Sequence, residues 1–142
     1  MTPVDPTGEA SSPADSSQVR ILVADDNDDA ASSLATLLGF RGHAVRVAGD
    51  GASAVRLAET FRPHIALLDI SMPGMDGYAT AEAIRSRPWG NELLLVALTG
   101  WANATDRARA LKSGFDIHVA KPVDFDSLDR IISQFESTRA GA

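Results

Sequence analysis

The chain has 142 residues and no cysteine, which excludes disulfide scaffolds, thiolate metal sites and cysteine nucleophiles together. Histidine is nearly as scarce. His43, His64 and His118 stand far apart, leaving little from which to build a zinc site. No apolar run reaches the ~18 residues of a membrane span, and the N-terminus lacks the basic and apolar regions of a secretory signal. The cytoplasm is therefore the expected compartment, with no membrane segment. Thirteen Lys and Arg face nineteen Asp and Glu, a net charge of −6. A nucleic-acid-coating surface is not expected from that balance. What remains is 44% hydrophobic and 23% charged, the composition of an ordinary globular chain whose length suits one domain.

Residues 1–18 contain no Lys, Arg, Leu, Ile or aromatic residue, but three prolines, four serines and three acids. Such a stretch buries too little apolar surface to offset its ordering entropy, so a Pro/Ser-rich tail or linker is expected there. The folded unit is expected over residues 19–137, with a short tail at 138–142. Within it, apolar runs alternate with helix-period segments. Val19–Ala24, His64–Leu68 and Leu93–Leu98 are apolar on both alternating faces, as parallel strands covered on both sides must be. Arg46 interrupts Ala44–Ala48, which fits a strand near the sheet edge, and Ile117–Ala120 is a short fifth strand.

Helices are expected over Asp28–Leu38, stopping at Gly39, and over Ala52–Phe61, Tyr78–Arg85, Thr105–Ser113 and Asp126–Phe135. Gly114 reads as a helix stop and Asp124 as an N-cap. Strand and helix thus alternate five times, the order of a doubly wound α/β domain with a five-stranded parallel sheet and five helices.

In an open parallel sheet the working crevice lies beyond the carboxyl ends of the strands. Asp25 and Asp26 follow the first strand, Asp69 the third, Thr99 the fourth and Lys121-Pro122 the fifth. The second ends in Gly49-Asp50-Gly51, a turn with no obvious chemistry. Each residue also has an ordinary explanation: Asp26 or Asn27 as a helix cap, Asp69 as a turn residue, Lys121 as a solvated lysine. Independent caps and turns need not all choose one end of a sheet, and here they do. Three carboxylates brought together repel unless a cation neutralises them. Carboxylates, a backbone carbonyl and water suit Mg²⁺, which favours phosphate oxygens. A lysine and a hydroxyl beside them describe a site where a carboxylate attacks phosphorus.

The motifs ILVADDN, IALLDISMPGMDG, ALTG and HVAKPV occur in that order. With them the chain resembles the receiver domain of two-component response regulators from about Val19 to Phe135. The resemblance implies a flavodoxin-like sheet in order 2-1-3-4-5. It implies Asp69 as the phosphoacceptor, and Asp25 and Asp26 as the acidic pair holding Mg²⁺, directly or through water. Ser71 would offer its backbone carbonyl to the metal. Thr99 matches the hydroxyl that meets the phosphoryl group, Lys121 matches the lysine, and Lys121-Pro122 is a candidate cis peptide. The switch position, usually Tyr or Phe, holds His118, which either packs in the core or swings inward behind Thr99. Trp101 falls where the family tunes water access, and its bulk suggests slower hydrolysis.

The function so implied is a phosphorylation-switched signalling domain that assists its own phosphorylation and dephosphorylation and is not a metabolic enzyme. Its donor would be a histidine kinase or histidine phosphotransfer protein, and its output a downstream protein target or homodimer through the fourth helix, fifth strand and fifth helix. No output domain is expected in this chain. Two other classes remain open on the residues alone. A Mg²⁺-dependent aspartyl-phosphate phosphohydrolase would want a second acid two residues beyond the nucleophile, where Ser71 stands. A binding module that has lost phosphorylation would not need the complete set of five.

Overall fold

The structure is a computed structural model and describes residues 18–100 and 104–141. Five strands and five helices alternate along the described chain: β1 (Arg20–Ala24), α1 (Asp28–Phe40), β2 (Ala44–Ala48), α2 (Gly51–Phe61), β3 (Ile65–Asp69), α3 (Gly77–Arg85), β4 (Leu94–Thr99), α4 (Ala104–Ser113), β5 (Ile117–Ala120) and α5 (Phe125–Gly141). All neighbours pair in parallel, in the order β2-β1-β3-β4-β5. This is the doubly wound order that the resemblance implies.

Side chains alternate across each strand, so the sheet divides the core in two. Ile21, Val23, Ile65, Leu67, Val96 and Leu98 face α1 and α5, meeting Ala31, Leu38, Leu128 and Ile132. Leu22, Leu68 and Leu95 face the other way, onto Ala54 and Ala58 of α2, Ala81 and Ile84 of α3, and Ala110 of α4. The central strands are buried on both sides, which is why they read as unbroken apolar runs. Edge strand β2 is different, because Arg46 and Val47 are exposed.

Local chemistry sets the helix starts. Asn27, Asp50 and Asp76 accept backbone N–H bonds from Ala30, Ser53 and Ala79, satisfying donors that a first turn otherwise leaves orphaned. Asp124 does the same for the N–H of Asp126 at 3.1 Å, as expected of an N-cap. The Gly49-Asp50-Gly51 turn therefore has a structural role that its residues alone do not announce.

Two helix ends differ from expectation. α1 runs through Gly39 to Phe40, and the left-handed residue lies later, at Gly42 with φ +91°. One glycine costs a helix only about 1 kcal/mol, less than the packing of Leu38 returns. α5 continues past Phe135 to Gly141, so residues 138–141 extend the helix instead of forming a separate tail. Nothing in that stretch breaks the backbone ladder, and the Thr138 hydroxyl bonds back to the Gln134 carbonyl at 3.0 Å. Gly114, with φ +111°, ends α4 as expected. The expected N-terminal tail, apart from Gln18, lies outside the described residues.

Candidate phosphoacceptor site

Parallel register brings the strand ends level. The Asp25 N–H donates to the Ala48 carbonyl at 3.1 Å, the Ile70 N–H to Leu98 at 3.0 Å, and the Lys121 N–H to Thr99 at 2.7 Å. Residues far apart in sequence are thereby set on one rim of the sheet. Carboxylate oxygens of Asp25, Asp26 and Asp69 all lie within 4.8 Å of one another. Asp25 and Asp69 are buried, and Asp26 is exposed.

Lys121 closes the cluster. Its ammonium is 2.8 Å from Asp69 Oδ1 and 4.0 Å from Asp25 Oδ2, with 34% of the side chain exposed. The Ser71 N–H also donates to Asp69 Oδ1, at 3.2 Å, so the peptide of Ser71 borders that carboxylate. Asp25 Oδ1 accepts the Asn27 N–H at 2.9 Å. Burial pushes the Asp25 carboxyl above the ordinary 3.8, and repulsion from Asp69 adds to the rise; the Asn27 N–H and the Lys121 ammonium oppose it.

One ammonium cannot balance three clustered carboxylates, two of them buried. The donor set is all hard oxygen, and the uncompensated charge favours a divalent cation with retained waters. These residues therefore fit magnesium.

Thr99 is buried at the end of β4, paired with Ala120. His118 pairs with Ala97, two positions back along the same pair of strands, so its side chain and that of Thr99 emerge on the same face of the sheet. His118 is half-buried, and its buried Nε2 atom has no hydrogen-bond partner among the described residues. Lys121-Pro122 is cis, as expected. Trp101 lies outside the described residues.

Two positioning residues are not evident from the sequence. A Cβ on Gly77 would stand 2.6 Å from both the Asp69 carbonyl oxygen and Ile70 Cα, so only glycine lets α3 start against the end of β3. Its N–H donates to the Ile70 carbonyl at 2.9 Å. The available signal is the Asp-Gly pair ahead of an amphipathic run. Asn27 is recognisable as a cap, but not as the donor whose N–H holds Asp25. Beside the cluster opens a groove of about 390 Å³ lined by Asp25 and Lys121 together with Ala30, Leu34, Leu37 and Phe125.

The family model for the response regulator receiver domain matches residues 21–133. An uncharacterized 14.6 kDa protein from Leptolyngbya boryana is 38% identical over 118 residues, covering 83% of this chain and 90% of that protein. The response regulator MprA of Mycobacterium sp. (strain KMS) is 36% identical over 110 residues, which cover 78% of this chain but only 47% of MprA. This chain thus spans about half the length of that relative. Among solved structures, the receiver domain of sensor histidine kinase PA1611 from Pseudomonas aeruginosa superposes with a TM-score of 0.77 at 32% identity, covering 84% of this chain and 98% of that domain. That structure has a magnesium ion coordinated in its active-site cleft.

Proposed function

The chain belongs to the response regulator receiver domain family, and we propose that it accepts a phosphoryl group from a phosphohistidine onto Asp69 and passes the signal on by repacking. The observation that carries this reading is the Lys121 ammonium 2.8 Å from Asp69 Oδ1 inside a three-carboxylate cluster. We assign residues 19–137 to the signalling unit, and the cytoplasm as its compartment.

Asp25, Asp26, Asp69 and the Ser71 carbonyl would hold Mg²⁺, which when bound supplies positive charge to phosphoryl oxygens. Lys121 and Ser71 N–H engage Asp69 Oδ1, so Oδ2 is the attacking oxygen. It forms the new O–P bond as the N–P bond of the phosphohistidine breaks, the imidazole leaving with the electron pair. Lys121 and the Thr99 hydroxyl then hold the phosphoryl oxygens. Water later cleaves the acyl phosphate and returns Asp69 to its carboxylate, so the domain assists both halves of its own cycle.

The donor is a histidine kinase or histidine phosphotransfer protein whose helix lies in the groove beside α1, because that groove is lined by Asp25 and Lys121 as well as by apolar side chains of α1. As Thr99 moves to the phosphoryl group, His118 fills the space behind it on the same face of the sheet. This repacks the surface of α4, β5 and α5 for a downstream protein or a second copy of the chain.

The test is phosphotransfer from a phosphorylated histidine phosphotransfer protein, with Mg²⁺ or with chelator. Rapid labelling that needs the metal and vanishes in Asp69→Ala supports the reading. Label on Asp69→Ala at the wild-type rate overturns it.

A further inference from the structure

At the sheet end opposite the acidic rim, one guanidinium ties three segments together. Arg85, the last residue of α3, donates from Nε to the Gly114 carbonyl at 2.9 Å. Its Nη1 donates to the carbonyls of Gly90 at 2.8 Å and Leu93 at 2.9 Å. Its Nη2 reaches the Asp116 carboxylate at 2.7 Å, and the same Asp116 oxygen accepts the Leu95 N–H at 2.9 Å. Only 17% of the Arg85 side chain is exposed, which shelters these charge-assisted bonds from water. A Cβ on Gly114 would stand 2.7 Å from Arg85 Cγ, so the end of α4 is seated on the arginine stem.

Burial along α4 is lopsided too. Residues 105–109 include no buried position, whereas Ala110, Ser113 and, just beyond the helix, Phe115 are buried. The outer half reaches α3 through Arg109, which lies 4.0 Å over the Tyr78 ring and 3.9 Å from Asp76 with 62% of its side chain exposed. Exposed pairs of that kind hold weakly. Local stability in α4 is therefore concentrated at its C-terminal end.

We propose that Arg85 is the pin about which α4 pivots, an inference that rests on the reading of Asp69 as phosphoacceptor and Thr99 as first responder. Arg85 also grips the start of β4, through the Leu93 carbonyl and, by way of Asp116, the Leu95 N–H. β4 ends on Thr99. A displacement begun at Thr99 is thus held at the far end of the strand and of the helix, and the N-terminal half of α4 carries the movement. The output surface then changes most near residues 104–110 and least near residues 111–116.

Hydrogen exchange on the full chain with Mg²⁺, with and without beryllofluoride as the phosphoryl mimic, tests this. In the wild type, beryllofluoride is expected to change exchange over residues 104–110 by about tenfold and over 111–116 by less than about twofold. In Arg85→Gln the change spreads through 111–116. Asp116→Asn keeps an acceptor for the Leu95 N–H while removing the charge, and gives a partial spread if Arg85→Gln does not fold. Equal changes along all of α4 in the wild type overturn the pin. So does a variant whose protection over 111–116 falls equally with and without beryllofluoride, since that is the mark of a simple stabilising contact. Absence of any response to beryllofluoride, together with no label on Asp69, overturns the phosphoacceptor reading and the pin together; label on Asp69 with the wrong exchange pattern overturns the pin alone.

Discussion

Lys121 Nζ lies 2.8 Å from Asp69 Oδ1, although the two residues stand 52 positions apart in the chain. The contact exists because β3 and β5 end on the same rim, with β4 between them. It makes the ammonium a standing counter-charge for the proposed nucleophile and a donor already in place for a phosphoryl oxygen.

Removing that donor is expected to slow the chemistry far more than it disturbs the fold. Lys121→Ala should accept phosphoryl groups about a hundredfold more slowly, the usual cost of deleting one preorganised oxyanion donor. Rapid-quench labelling against a phosphohistidine donor measures it. A rate within about twofold of wild type would remove Lys121 from the mechanism.

Asp25 gives a prediction of opposite sign for stability. Its folded-state pKa is raised above 3.8 by burial and by Asp69, so the folded protein holds this proton more tightly than the unfolded chain does. The stability tied to this group therefore grows as pH falls through the raised value, levels off below the unfolded one, and is lowest at neutral pH. Asp25→Asn should therefore stabilise the metal-free protein at neutral pH, because it removes the charge that burial and Asp69 disfavour. That advantage should shrink toward the acid range and reverse once Mg²⁺ is added. Thermal melts of both proteins across pH, with and without metal, decide it.

Gly77→Ala places a methyl group 2.6 Å from the Asp69 carbonyl oxygen and Ile70 Cα. Backbone must shift to admit it, at about 1–3 kcal/mol, and the shift acts on the strand end that carries Asp69. A lower denaturant midpoint with weaker beryllofluoride binding is expected. An unchanged midpoint would show that α3 docks more loosely than its contacts indicate.

His118→Phe removes a buried nitrogen that has no partner among the described residues. The variant should be more stable by about 1 kcal/mol, because an unmet polar atom costs roughly 1–3 kcal/mol and the side chain is only half buried. Chemical denaturation of the two proteins checks the sign.

Much of this architecture is legible because the apolar runs mark the strands, and in a parallel sheet the residue that ends each run is placed on the rim. Asp25, Asp69, Thr99 and Lys121 are found that way. Asp50 and Asp76 do not stand out as caps, since an Asp before a helix looks like any turn residue until its N–H partners are known. Gly77 gives only the signal of a turn, because the close approach of α3 to β3 is a tertiary fact. The end of α5 is hidden for a different reason: residues 136–141 lack an apolar period, yet a helix already nucleated continues until something stops it. Arg85 leaves no trace at all. Its four acceptors are three backbone carbonyls and one carboxylate from separate segments, and backbone carbonyls are invisible in a sequence.

The phosphoryl group is expected to reside on residue 69. Phosphorylating the protein with acetyl phosphate and Mg²⁺, trapping the acyl phosphate by borohydride reduction and sequencing the peptides by mass spectrometry tests it directly. Reduction of Asp69 alone, with none in chelator, is the result predicted; reduction at Asp25 or Asp26 in place of Asp69 would contradict it.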